Sequence, residues 1–245
     1  MAGDGPSSSV WAAMKAALAD GILTFAWVFC ASTLRASTHA IGTYLGLLAV
    51  PFAPIVLTTT LVAFLVFVFT LIGSALGGAV FNPTALASFY AAGLGDNSLF
   101  SMSLRFPAQV SRWVLAIMEY MPPQYKHMLG GPTVRVDMHT GAVAEGILTF
   151  IISFAVLCIV VKGPRNRIFK TWMLAIATVA LVIAGGSYTG PAMNPANAFG
   201  WAYVDNRHNT WEQFYVYWIC PFIGAILAAW IFRAFFPPPA KEKKA

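Results

Sequence analysis

The feature that most limits the possible folds is a run of sixty residues, from Ala36 to Gly95, that contains no Asp, Glu, Lys or Arg. The whole chain follows the same trend, since 58% of its 245 residues are hydrophobic and 10% are charged. Soluble domains carry about 25% charged residues. A membrane-spanning helix needs about 20 mostly apolar residues. The composition therefore predicts an all-α protein that crosses the membrane several times, and it excludes a disordered or fully solvated chain.

Charged residues divide this apolar sequence into six full-length helices and two surplus segments. The charge-free stretches 36–95 and 171–204 are each longer than one crossing requires. The third helix carries Arg105, Arg112 and Glu119, and Arg112 must pair with a carboxylate or snorkel unless the helix boundary lies elsewhere. The six predicted helices cover about Trp11–Leu34, Ile55–Ile72, Ser103–Met121, Gly141–Val161, part of 171–204, and Gln213–Phe232.

The basic residues predict the orientation of the chain. Six crossings place both termini on one side, and nine Lys and Arg residues fall there. The opposite loops hold four, namely Arg35, Lys126, Arg135 and Arg207. Because cytoplasmic loops carry the excess of Lys and Arg, we expect both termini in the cytoplasm.

A repeated sequence relates the two halves of the chain. Asp20-Gly-Ile-Leu-Thr-Phe25 returns as Glu145-Gly-Ile-Leu-Thr-Phe150, and Asn82-Pro83-Thr84 returns as Asn194-Pro195-Ala196. With three helices in each half, the second half enters the membrane from the opposite side, which makes an inverted repeat. We expect a single domain over 1–245, with halves at 11–121 and 139–236 and a cytoplasmic lysine-rich tail at 237–245.

Each Asn-Pro pair predicts the start of a half-helix inside the membrane. Asn is a preferred N-cap and Pro is favoured at the first helical position. Glycine-rich stretches precede the pairs, and short helical runs follow at Ala85–Ala92 and Ala198–Val204. A segment that dips into the membrane is tolerated where it is buried in protein or lines water. Two ordinary surface turns are the alternative, which does not explain their matching places in the repeat.

These motifs resemble the aquaporin, or major intrinsic protein, family over essentially the whole chain. Gly190-Pro-Ala-Met-Asn194-Pro-Ala196 is close to the second signature of that family. The Asn-Pro-Thr of the first signature, the Asn after the second and the lysine-rich tail look most like the plant small basic intrinsic proteins. The resemblance implies six membrane helices with two re-entrant half-helices, a pore through each protomer, and a homotetramer.

The expected function is a passive channel for water and other small neutral solutes. Opposed half-helices direct two positive ends at the midplane, where they repel cations, and the amides of Asn82 and Asn194 donate to passing water. Thr84 stands where most of the family has Ala. It either adjusts the half-helix contact or the pore width, or it packs away from water as a tolerated small residue.

The resemblance also implies a filter on the extracytoplasmic side of the Asn pair. Distances from the signatures match its four positions to Val62, Val182, Pro191 and Asn197. The family usually has an Arg at the position of Asn197, so we expect a weaker barrier to cations here. The two valines predict an apolar and wider constriction.

Asp20 and Glu145 are acids inside predicted spans, which makes them functional candidates. One hypothesis is a proton-coupled secondary transporter that uses both acids, since that class also has inverted repeats and broken helices. The other is that each carboxylate accepts backbone N–H groups from a re-entrant loop. The matching places of the two acids and the family resemblance favour this support role.

The remaining polar residues predict no further chemistry. The histidines lack metal-ligand spacing, and no catalytic set lies on facing spans, so we expect no enzyme activity, no metal and no cofactor. The basic residues form no single stripe, which argues against nucleic acid as a partner. The expected partners are membrane lipid and the solute.

The lysine-rich tail predicts a location. Lys243 and Lys241 occupy the third and fifth positions from the C-terminus, a spacing that looks like a dilysine retrieval signal read by coat proteins. Together with the resemblance to small basic intrinsic proteins, which are associated with the endoplasmic reticulum, this predicts that membrane. The alternative is a basic tail attracted to anionic lipid.

Overall fold

The computed structural model describes residues 6–95, 97–110 and 122–237, and the regular structure in that part of the chain is helical. A short 3₁₀ helix covers Pro123–Met128, the π-helical turn Cys158–Lys162 extends α6, and a second π-helical turn, Tyr215–Ile219, lies inside α9. The α-helices are α1 Pro6–Ser32, α2 Leu34–Tyr44, α3 Ala53–Ala75, α4 Pro83–Ala91, α5 Leu99–Gln109, α6 Met138–Leu157, α7 Arg167–Gly185, α8 Pro195–Val204 and α9 Trp211–Phe235.

The described residues contain five helical segments that are long and apolar enough to cross a membrane. Their outward surfaces carry exposed large apolar side chains such as Phe64, Ile147 and Trp230. Lipid is the solvent that such a surface fits, so the prediction of a multi-pass all-α membrane protein is confirmed. The five segments are Val10–Tyr44, Ala53–Ala75, Met138–Lys162, Arg167–Gly185 and Trp211–Phe235.

The first span is longer than the predicted Trp11–Leu34. The hydroxyl of Thr33 donates to the carbonyl of Cys30 at 2.8 Å where α1 ends, and α2 then continues to Tyr44. The hydroxyls of Thr38 and Thr58 meet at 3.0 Å between α2 and α3. Because α2 packs through small residues, its sequence lacks the large apolar stripe from which a longer helix would have been predicted.

The third predicted helix, Ser103–Met121, is described only in its first part. This helix, α5, begins four residues earlier than predicted, because Ser98 and Ser101 form a reciprocal capping box at its N-terminus. It runs to Gln109 and includes Pro107. Residues 111–121, with Arg112 and Glu119, lie outside the described residues.

Both half-helices begin at their Asn-Pro motifs, as the sequence predicted, and they continue into the short helical runs that start at Ala85 and Ala198. The first helical residues are Pro83 in α4 and Pro195 in α8, directly after their Asn caps. A proline at the first position loses no helical hydrogen bond, so the helix starts at the motif itself.

Close helix contacts at glycine hold each half together. A Cβ on Gly21 of α1 would lie 2.9 Å from the backbone oxygen of Ala108 in α5. In the second half Gly146 of α6 and Gly224 of α9 are in direct backbone contact. The two halves meet where α3 packs against α7 through Val62, Ala63, Ala175 and Val179.

Candidate functional site

The N-terminal ends of α4 and α8 are built in the same way. The Oδ1 atom of Asn82 accepts the N–H of Thr84 at 3.0 Å, and that of Asn194 accepts the N–H of Ala196 at 3.1 Å. Both Asn residues have extended backbones, as N-caps do. The sequence repeat therefore corresponds to a structural repeat at this site.

The two Asn side chains bind the opposite half of the molecule. The Nδ2 atom of Asn82 donates to the carbonyl of Met193 at 2.9 Å, and the Nδ2 atom of Asn194 donates to the carbonyl of Phe81 at 3.0 Å. Sequence reasoning assigned these amides to water alone and missed the crossed bonds. An amide nitrogen has two N–H donors, so each Asn retains one for a further partner.

The carbonyl groups that receive these bonds are themselves fixed. The ring of Phe81 stacks on Trp27 with centroids 4.1 Å apart, and Phe69 packs edge-on against Trp27 at 5.3 Å. Met193 is buried and has a positive φ of 46°, a strained backbone that the contacts around it must hold. Both re-entrant loops therefore reach the Asn pair in fixed positions.

Thr84 is buried between the half-helices, at 1% exposure. Its hydroxyl lies 2.7 Å from Asn82 Oδ1 and 3.4 Å from the carbonyl of Met193. The side chain is thus buried and also contacts both halves, while its effect on the pore width stays a prediction.

Glu145 lies at 0% exposure behind the second re-entrant loop. Its carboxylate accepts the backbone N–H groups of Ala192 and Met193, at 2.8 and 3.1 Å, and the hydroxyl of Thr189 at 2.9 Å. These contacts are those expected of an acid that supports a loop.

Asp20 is equally buried behind the first loop, but its surroundings are different. Its Oδ1 atom accepts the N–H of Val80 at 2.8 Å, as the support role requires. Arg105 of α5 also forms a two-point ion pair with it, at 2.6 and 2.7 Å, and Gln109 donates to it at 2.7 Å. Sequence reasoning placed Arg105 on the third helix but gave it and Gln109 no role, although residues four apart lie on one face of a helix.

The four matched filter positions have different environments. Val62 of α3 is 6% exposed and packs against α7, whereas Val182 near the end of α7 is 43% exposed. Pro191 and Asn197 are half-buried, and Pro191 packs against Gly185. Assignment of these four residues to a filter stays a prediction.

A loop that sequence reasoning did not consider covers the second re-entrant segment. The N–H of Thr133 donates to the carbonyl of Thr189 at 2.9 Å, and the N–H of Arg135 donates to the carbonyl of Tyr188 at 2.8 Å. The guanidinium of Arg135 bonds the carbonyl of Gly186 at 2.9 Å. Lys241 and Lys243 of the tail lie outside the described residues.

The chain is similar to a known protein family over almost its whole length. The major intrinsic protein family matches residues 7–232 of the chain. The chain belongs to that family.

Similar curated proteins include Aquaporin SIP1-1 of Oryza sativa subsp. japonica, 62% identical over 96% of this chain and 98% of the relative. Aquaporin SIP1-2 of Zea mays is 64% identical over 95% of this chain and 98% of the relative. The resemblance to plant small basic intrinsic proteins is confirmed.

A solved structure supports the same fold. The X-ray structure of the aquaglyceroporin from Plasmodium falciparum matches with a TM-score of 0.64 and 18% sequence identity. The match covers 89% of this chain and 97% of that chain. The aquaporin-like fold that the family resemblance implied is therefore confirmed.

Membership of the major intrinsic proteins establishes the class of activity. The chain is a passive membrane channel for water and small solutes, and it is not an enzyme. Nothing supports the alternative of a proton-coupled transporter, since Asp20 and Glu145 are both at 0% exposure and hold the donors of the loops.

Proposed function

We propose that water crosses the membrane between the N-terminal ends of α4 and α8, with Asn82 and Asn194 as the donors at the midplane. The crossed amide bonds carry this proposal, because they fix both side chains and leave one N–H on each. A fixed donor turns the oxygen of each passing water toward itself. The positive ends of two helices, meeting at one place, raise the energy of a cation or proton there.

The selectivity that we propose depends on Val62, Val182, Pro191 and Asn197. None of the four carries a charge, so the barrier to cations comes mainly from the half-helices, and the constriction is apolar. Such a filter would admit water and also neutral solutes somewhat larger than water. The half-buried position of Asn197 in the first turn of α8 supports its assignment beside the path.

The test of this function is the shrinkage of proteoliposomes after an osmotic jump. Purified protein should accelerate light-scattering changes relative to empty liposomes for water, and the series should then be repeated with urea and glycerol. A matched variant, Asn82→Asp, keeps the oxygen that caps α4 but loses the N–H donors. We expect it to conduct less water and to admit cations. Rates equal to those of empty liposomes for water and every neutral solute would reject the channel proposal.

The assembly and orientation that we propose follow from the family and from the charges. Both termini lie in the cytoplasm, since nine basic residues fall on their side and four on the other. Four copies form a homotetramer in which each protomer has its own pore, as the family resemblance implies. Native mass spectrometry in detergent tests this, and a monomer in mild detergent would contradict it.

The location that we propose is the endoplasmic reticulum, through recognition of Lys241 and Lys243 by coat proteins. Their spacing in the tail supports it. The test uses an N-terminal tag, so that the tail stays free. It compares a double variant, Lys241→Ser together with Lys243→Ser, with the single variant Lys244→Ser, which changes a neighbouring lysine outside the proposed signal. We expect the double variant alone to reach later compartments. Reticular retention of the double variant would show that the tail is not the signal.

A further inference from the structure

The two re-entrant loops are anchored at equivalent atoms. The offset of 112 residues that relates the two Asn-Pro motifs also relates Val80 to Ala192. The N–H of Val80 donates to Asp20 and the N–H of Ala192 donates to Glu145, both at 2.8 Å. Because this contact is the same in both halves, the remaining differences between the two anchors lie in the other partners of the two acids.

The same offset relates Arg105 to Tyr217, and here the two halves use different chemistry. Tyr217 donates its hydroxyl to the carbonyl of Thr189 at 3.0 Å, and Thr189 in turn donates its hydroxyl to Glu145 at 2.9 Å. The second anchor therefore contains one acid and neutral donors. In the first half the equivalent position holds a guanidinium that pairs directly with the acid.

The different lengths of the two acidic side chains match this difference in their partners. Asp20 is one methylene shorter than Glu145, and the longer side chain of Arg105 spans the remaining distance between α5 and α1. The Nε and Nη2 atoms of Arg105 reach the two carboxylate oxygens at 2.6 and 2.7 Å, a side-on pair that a Lys cannot reproduce. The Nη1 atom donates to Asn97 at 2.7 Å, which fixes the guanidinium at its other end.

The same network holds the first re-entrant loop from two sides. Gln109, one turn after Arg105 on α5, donates its amide to Asp20 at 2.7 Å and to the carbonyl of Val80 at 3.0 Å. The N–H of Val80 returns to Asp20. Both backbone groups of the residue that precedes Phe81 are therefore fixed by this network, two positions before Asn82.

We propose that Arg105 is a positioning residue of the pore, which acts through Asp20 to set the place of Phe81 and Asn82 at the midplane. This proposal rests on the channel function. The acid of the first anchor is held by a buried cation, and the acid of the second anchor is held by neutral donors. The two halves thus respond differently to the loss of a charge at the anchor.

The physical reason is that a buried charge depends on its partner. Arg105 and Asp20 are 5% and 0% exposed, so removal of one leaves the other unpaired in a medium that solvates charge poorly. Removal of both leaves neutral groups of similar shape, which cost less than a single unpaired charge. Each of the two single variants should therefore perturb the first re-entrant loop more than the double variant does.

The experiment compares Arg105→Gln, Asp20→Asn and the double variant in proteoliposomes, with permeability expressed per inserted channel. We expect a several-fold loss of water permeability and a greater proton leak in each single variant, with partial recovery in the double variant. Arg105→Lys should recover part of the loss, because it restores the charge without the fork. The control is the same pair of changes at Asp205 and Arg207, whose side chains are 44% and 42% exposed. These should leave permeability unchanged.

The outcomes separate the possible failures. Equal permeability and proton leak per channel in wild type and all Arg105 variants would overturn the positioning role, even if the yield of protein falls. If a single variant does not insert, the double variant and Arg105→Lys decide in the same way. A wild-type protein that conducts no better than empty liposomes would instead reject the channel function itself.

Discussion

At the residue scale, the backbone and the side chain of Asn197 have different surroundings in the first turn of α8. Its backbone N–H lies 3.4 Å from the Oδ1 atom of Asn194, so it belongs to the cap of α8, while its side chain is half-buried. The side chain is neutral, and an arginine there would place five donors and a fixed charge in the same turn. The guanidinium of Arg135 donates to the carbonyl of Gly186 in the second re-entrant segment.

We predict that Asn197→Arg narrows the channel and raises its barrier to cations. The longer side chain fills space beside the path, so larger neutral solutes should slow more than water does. The measurement is the ratio of glycerol to water permeability in proteoliposomes, together with a cation-leak assay. Asn197→Gln is the matched control, since it lengthens the side chain without adding a charge. An unchanged solute profile in an inserted Asn197→Arg protein would mean that this residue does not line the path.

The residues at the site could be predicted from sequence only as far as they follow the repeat. Asp20 and Glu145 were found because matching places in two halves singled them out, and both contact the loops as expected. The pairing of Arg105 with Asp20 was not predicted, because the two residues lie 85 positions apart and only the packing of α5 on α1 brings them together. The crossed bonds of the Asn pair depend in the same way on how the two halves meet.

At the element scale, the helices of each half approach closely through glycine. Gly224 of α9 faces the backbone of Gly146 in α6, and Gly21 of α1 faces Ala108 of α5. The two glycines Gly21 and Gly146 are the second residues of the repeated hexapeptide, so the repeat encodes a helix contact as well as an acid.

Element boundaries were less predictable. The capping box at Ser98 and the extension of the first span through α2 depend on local hydrogen bonds rather than on hydropathy.

We predict that Gly224→Ala destabilises the protein by about 1–3 kcal/mol, because a methyl group there overlaps the backbone of α6 and the helices must separate. The measurement is the thermal unfolding midpoint in detergent. Gly130→Ala is the control, since a Cβ at Gly130 meets nothing within 4 Å. An equal midpoint for Gly224→Ala and wild type would show that α6 and α9 do not pack as closely as the structure has them.

At the scale of the whole molecule, the inverted repeat brings two re-entrant loops to one place and supports each from behind. The acids that anchor the loops are buried and occupied, so neither is free to exchange a proton with a passing solute. The Asn pair joins the halves directly through Phe81 and Met193. A conduction cycle that moved one half against the other would have to break these bonds at every step.

We predict that permeation is passive and needs no such movement, so its rate depends weakly on temperature. The activation energy of water flux through proteoliposomes should be well below that of empty liposomes, because water exchanges hydrogen bonds with fixed donors instead of entering hydrocarbon. The flux of a neutral solute should also be the same with and without an imposed proton gradient. Both quantities come from stopped-flow traces recorded over a temperature series, with an ionophore added to collapse the gradient. Solute accumulation that follows the gradient and vanishes with the ionophore would contradict a passive channel and restore the acids as coupling sites.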